Sequence, residues 1–119
     1  MLKFAVNLGK PVVLRYPRGG EAQEEFKKHE EIELGKAEIL QEGKDITIIG
    51  IGKTVASALE LADELKNKKI EAEVINSRFL KPFDIETVKK SISKTKRVIT
   101  LEDNTIIGGL GSEIKEIIS

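Results

Sequence analysis

From residue 32 onward the chain alternates two hydrophobic periods, and that alternation limits its fold more than any other feature. Residues 46–49, Ile46-Thr47-Ile48-Ile49, form a run of the kind a buried sheet strand requires. Residues 54–67 then switch to a helical period. Val55, Ala58, Leu59 and Ala62 fall at i, i+3, i+4 and i+7, which leaves Glu60, Asp63 and Glu64 toward water. A strand period returns at 70–75, where Ile70, Ala72 and Val74 alternate with Glu71 and Glu73. Asp84 is placed to cap a helix lined by Ile85, Val88 and Ile92. Residues 97–101 read as a strand, and the glycines at 108–111 open a last helix with Ile114, Ile117 and Ile118 on one face. Upstream, residues 36–40 read as a strand and Glu42-Gly43-Lys44-Asp45 as a turn. Strands alternating with helices predict an α/β fold of three layers, a mostly parallel sheet with helices on both faces.

The first thirty residues lack this regularity. Residues 2–8 suit the last turns of a helix stopped by Gly9, and residues 11–16 suit a strand. Residues 19–31 carry a charge run from Glu24 to Glu31, broken only by Phe26 and His29. That composition fits an interdomain linker; a short solvated helix within one domain is the alternative. The expected organisation is therefore a tail of a preceding domain (1–19), a linker (20–31) and an α/β domain (32–119).

Composition removes several functions. Lys and Arg number 20, as do Asp and Glu, so no net field draws the chain to nucleic acid or to an anionic membrane. Aromatics are 4% with no Trp, which leaves no stacking platform for single-stranded nucleic acid. The absence of Cys excludes disulfides, thiolate metal sites and a Cys nucleophile. His29, the single His, lies within the charged run and suits the surface better than catalysis. No 18-residue apolar stretch occurs, and the first residues do not form a signal peptide, so a cytoplasmic protein is expected.

Few motifs carry chemistry. Arg15-Tyr16-Pro17-Arg18-Gly19 sets two guanidinium groups at the end of the apolar run 11–14, where Pro17 and Gly19 turn the backbone. Such planar, permanently charged forks suit a phosphate or a carboxylate. The alternative is a strand-end Arg paired with a surface acid. Gly50-Ile51-Gly52-Lys53-Thr54 fails the phosphate-loop template, because the required upstream glycine is Thr47; it reads as a tight strand-to-helix turn. Gly108-Gly109-Leu110-Gly111 offers helix-opening amides to an anion, or else a close backbone contact. Glu102 and Asp103 end a strand but point opposite ways, a poor acid–base pair, and at least one is expected to make a structural hydrogen bond. Arg78 precedes Phe79-Leu80-Lys81-Pro82-Phe83, which reads as a fold-specific turn.

Taken in order, the Arg15–Gly19 block, the segment 33–40, the strand and turn 46–52, the loop 76–84, and the segments 100–104 and 108–113 resemble the C-terminal third of the 1-deoxy-D-xylulose-5-phosphate synthases. These are thiamine-diphosphate enzymes of the transketolase family. The later blocks are shared with transketolases and with the beta subunits of 2-oxoacid dehydrogenases; the double-Arg block narrows the resemblance to the synthases. The resemblance implies a parent enzyme that joins pyruvate to glyceraldehyde 3-phosphate with loss of carbon dioxide. It also implies that thiamine diphosphate and magnesium are bound by preceding domains, that the parent is a homodimer, and that the fragment alone is inactive. Arg18 matches the family's anchor for the phosphate of glyceraldehyde 3-phosphate, and no direct contact is implied for Arg15. Since the family continues to a further strand and helix, the domain is expected to be truncated at its C-terminus. A stand-alone α/β interaction module, or a subunit of a split enzyme, is the competing expectation.

Overall fold

The computed structural model describes residues 2–14, 32–102 and 109–118. Among these residues four helices and four strands occur in the order α1 (Leu2–Asn7), β1 (Glu38–Gln41), β2 (Ile46–Gly50), α2 (Thr54–Asn67), β3 (Ala72–Asn76), α3 (Ile85–Thr95), β4 (Val98–Leu101) and α4 (Leu110–Ile118). The strands form one sheet in the order β1-β3-β2-β4. β2 runs parallel to both neighbours, pairing Ile46 to Gly50 with Ala72 to Asn76 on one side and Thr47 to Gly50 with Val98 to Leu101 on the other.

The side-chain alternation of β2 and β3 divides the core into two layers. Ile48 and Val74 face α2, where Ala58 and Ala62 let the helix approach closely, and all four are fully buried. Ile49 and Ile75 face the opposite way, onto Val88 of α3 and Leu110 and Ile114 of α4. Helices thus cover both faces of the sheet. The helical stripe expected from Val55, Ala58, Leu59 and Ala62 is the buried face of α2, with Leu59 partly buried and Glu60, Asp63 and Glu64 exposed. Gly43 lets the turn before β2 pass against β3; a Cβ there would lie 2.3 Å from the carbonyl carbon of Ala72.

The described sheet is mostly parallel, as expected, and its edge strand β1 lies antiparallel to β3 with an irregular register between Ile39 and Gln41. Three expectations require correction. Residues 11–14 form no strand: no neighbour among the described residues supplies a ladder, and Val13 is 90% exposed. Ile70 precedes β3, its amide bonding to the Leu65 carbonyl that ends α2. Ile118 is exposed rather than sharing the buried face of Ile114. Residues 15 and 16 of the expected first strand, and the segment 20–31, lie outside the described residues.

β3 also departs from a half-exposed alternation. Glu73 is buried beneath α3 beside a hydroxyl cluster, with Thr47 Oγ1 2.7 Å from both Ser91 Oγ and Thr95 Oγ1. Lys94 of α3 forms an ion pair with Glu73. Burial pushes the Glu73 carboxyl upward, but hydrogen bonds from Lys94, Ser91 and the Gly43 amide outweigh it and hold the pKa low. Asp84 behaves similarly. It caps α3 by accepting from Thr87 N at 3.2 Å and Thr87 Oγ1 at 2.7 Å, and it also accepts from Ala37 N at 2.9 Å. Burial raises its pKa, yet these bonds and the charge of Lys36 leave it lowered.

Both carboxyls therefore bind protons less readily in the folded chain than in the unfolded one. Their contribution is fully present above the unfolded pKa values and is lost as pH falls through the lower folded values. Urea unfolding should show stability declining from about pH 5 toward pH 3. Glu73→Gln with Asp84→Asn should be less stable at pH 7 but show a shallower acid limb. An unchanged limb would contradict the assignment.

Candidate functional site

In an open parallel sheet, ligands gather beyond the C-terminal ends of the strands, where neighbouring strands send their following helices to opposite faces. Here β2 meets that condition against both neighbours, since α2 covers one face and α3 and α4 the other. The residues at these ends are Gly50 to Thr54 after β2, Ser77 to Phe83 after β3, and Glu102 after β4.

The crevice is closed by the chain's own polar groups. Ser77 N donates to Gly50 O at 2.9 Å, bridging the ends of β2 and β3. Thr54 Oγ1 accepts from Ile51 N at 3.0 Å and lies 2.8 Å from Ile51 O and 2.7 Å from Leu101 O, so one hydroxyl ties the turn to the end of β4. Gly52, at φ 64°, supplies the left-handed residue that makes this turn short. The glycine cluster is thus a strand-to-helix turn, as the failed phosphate-loop template implied.

Glu102 occupies the start of α4. Its carboxylate accepts from Leu110 N at 2.6 Å and Gly111 N at 3.0 Å. The anion facing these helix-opening amides is therefore internal, and its negative charge suits the positive end of the helix. Glu102 makes the structural hydrogen bond expected at this strand end; Asp103 and Gly108 lie outside the described residues.

Arg78 is drawn inward. Its guanidinium pairs with Glu38 of β1, and the two side chains are only 7% and 2% exposed. The Arg78 backbone sits at φ 57° and its amide bonds to Asn76 Oδ1 at 3.1 Å. Ser77 Oγ donates to Phe79 O at 3.1 Å. Leu80 and Phe83 pack against the core under α3 and α4, and the Lys81–Pro82 peptide is cis. The loop 76–84 is accordingly a structural connection, as its sequence suggested. Glu38, Thr54 and Ser77 escaped the sequence reading. An acid set directly before the apolar pair Ile39-Leu40 of a strand was the available signal for Glu38, but its partner lies forty positions away.

At the opposite end of the sheet an open groove is lined by Lys44, Asp45, Lys96 and Arg97 among others. Lys96 is the C-cap of α3, where a cation offsets the helix dipole. Among the described residues there is no group of three or more His, Asp or Glu suited to a metal ion, and no helix long and apolar enough to cross a membrane. They do not fit a magnesium–diphosphate site, because the carboxylates at the strand ends already hold backbone amides or an arginine. Arg15, Arg18 and His29 lie outside the described residues.

The described strand ends of this α/β domain are thus occupied by internal caps and an ion pair. Residues 35–119 match the transketolase C-terminal domain, and the chain belongs to that family. It is 46% identical to the 1-deoxy-D-xylulose-5-phosphate synthase of Desulfitobacterium hafniense (strain DSM 10664 / DCB-2) over 119 residues, covering 99% of this chain and 19% of that protein. It is 43% identical to the synthase of Natranaerobius thermophilus, covering 100% of this chain and again 19% of the relative. Among solved structures, a split gene transketolase described as an inactive beta4 tetramer matches with a TM-score of 0.71 and 41% identity, over 73% of this chain and 29% of that one. The resemblance to the synthases is therefore borne out, and the chain spans 19% of the length of these curated relatives.

The Glu38–Arg78 pair supplies a test of the scaffold. Removing one partner strands a buried charge, so Glu38→Ala or Arg78→Ala should cost about 3–5 kcal/mol in urea unfolding. Glu38→Leu combined with Arg78→Met should cost less than the larger single change. Single changes that cost under about 1 kcal/mol would mean that the pair is solvated like a surface bridge.

Proposed function

We propose that this chain is the C-terminal part of a thiamine-diphosphate-dependent transferase that condenses pyruvate with glyceraldehyde 3-phosphate to 1-deoxy-D-xylulose 5-phosphate, releasing carbon dioxide. The observation that carries this reading is a match at 43% identity that covers 100% of the chain, to a synthase of that name. The cofactor supplies the carbanion chemistry when bound by the enzyme's other domains, with magnesium holding its diphosphate. The product class serves isoprenoid and thiamine biosynthesis, and the working enzyme is a cytoplasmic homodimer.

Within this reading the chain divides its labour. Residues 1–19 belong to the preceding domain, 20–31 form the linker, and 32–119 form the transketolase C-terminal-like domain, which packs and helps join subunits. Arg18 anchors the phosphate of glyceraldehyde 3-phosphate, a fixed charge-assisted contact remote from the reacting carbonyl. Arg15, Tyr16 and Pro17 set its direction.

A second reading is favoured by the split gene transketolase neighbour. In it, this chain is a subunit, of transketolase or 2-oxoacid dehydrogenase type, that needs a separate chain to supply the cofactor site. Coding sequence directly upstream in the same frame, carrying a Gly-Asp-Gly magnesium block, would decide for the single-chain enzyme.

Two outcomes are expected. The 119-residue chain alone should give no calorimetric binding of thiamine diphosphate with magnesium, whereas micromolar affinity would contradict the division of labour. In the full-length parent, Arg18→Ala removes a charged bond to the acceptor phosphate, costing roughly 1.5–3 kcal/mol. Efficiency for glyceraldehyde 3-phosphate should fall roughly ten- to 150-fold, with pyruvate little affected. Arg15→Ala should spread its effect over both substrates. An unchanged acceptor efficiency in Arg18→Ala would overturn the phosphate assignment.

A further inference from the structure

The loop after β3 does more than connect. Phe79 meets Phe4 of α1 with ring centroids 5.9 Å apart and planes at 68°, an edge-to-face contact. Phe4 lies 75 positions away, in a helix of six residues. A helix that short does not hold its shape by backbone bonding alone, so it depends on what it packs against. Leu2 and Val6 of the same helix are 68% and 73% exposed, while Phe4 is partly buried. The ring of Phe4 is the side of α1 that meets the α/β domain.

The mount on the other side is rigid. Phe79 follows Arg78, whose guanidinium is buried on Glu38. Its own carbonyl accepts from Ser77 Oγ, and Ser77 N is tied to Gly50 at the end of β2. Leu80 and Phe83, on its far side, are packed into the core. Phe79 is thus held from both directions, with its ring offered to the helix.

We infer that Phe79 is a positioning residue: it seats α1 on the α/β domain and so fixes the N-terminal segment of the chain relative to the sheet. This rests on the function proposed above, in which that segment leads to the acceptor-binding arginine. The buried Glu38–Arg78 pair acts in the same direction, because it holds the backbone that carries the ring. The contact couples the scaffold to substrate affinity without touching substrate.

The test is a double-mutant cycle of Phe4→Ala and Phe79→Ala with two readouts. In the 119-residue chain, amide exchange within α1 should quicken about two- to tenfold in each single variant, as loss of one aromatic pair allows. The double variant should be no faster than either single, while protection in β2 and β3 stays as it was. In the full-length parent, each single variant should raise the KM for glyceraldehyde 3-phosphate by a similar factor, with little change in the pyruvate KM, and Phe79→Tyr should restore it. Exchange in α1 that ignores Phe79, or effects that simply add, would overturn the seat. An acceptor KM that responds to Arg18→Ala but not to Phe79→Ala would overturn the positioning role while leaving the phosphate anchor standing. A KM that responds to neither would overturn both.

Discussion

Glu38 and Arg78 are almost entirely removed from water, and neither charge is tolerable there without an opposite partner. Their pairing joins the edge strand β1 to the loop that leaves β3. With it come the antiparallel edge of the sheet, the seat of Leu80 and Phe83 in the core, and the exposed side of Phe79 that meets α1. Such a pair contributes little net energy compared with an apolar replacement of equal volume. What it supplies is a unique geometry, because the guanidinium satisfies the carboxylate in few arrangements.

The same logic extends along the C-terminal ends of the strands. Glu102 takes two amides that open α4, Asp84 takes the Thr87 amide in the first turn of α3 together with that of Ala37, and Thr54 joins the turn after β2 to the end of β4. A doubly wound sheet ordinarily offers these positions to a ligand. Here Glu102, Asp84, Thr54 and Ser77 spend their hydrogen bonds within the chain. Under the proposed function, the chemistry falls to other parts of the enzyme and this domain holds a neighbour in place.

Much of this was legible before any coordinates. The helical stripe of Val55, Ala58, Leu59 and Ala62 marked α2, whose bounds fall at Thr54–Asn67 as expected. Asp84 announced its cap because an Asp before an apolar period has a local job to do. What stayed hidden was non-local. An apolar run such as residues 11–14 becomes a strand only where a neighbour offers a ladder, and sequence does not reveal the neighbour. The polarity of Glu73 suggested an exposed face of β3, yet Lys94 and Ser91 on α3 let it be buried. The antiparallel direction of β1 and the Glu38–Arg78 pairing were equally out of reach, since both depend on which segments meet across forty residues. The double-Arg block, the strongest functional signal in the chain, lies outside the described residues.

The described strand ends of this domain are internally occupied and are expected to bind no free anion. Titration of the isotope-labelled chain with inorganic phosphate, followed through the amide signals of Leu110, Gly111, Ile51 and Ser77, tests it most directly. The account predicts that these four signals show no saturable shift, because Glu102 already faces the first two and backbone or threonine oxygens face the others. Saturable shifts at Leu110 and Gly111 would show that phosphate displaces Glu102, and would contradict it.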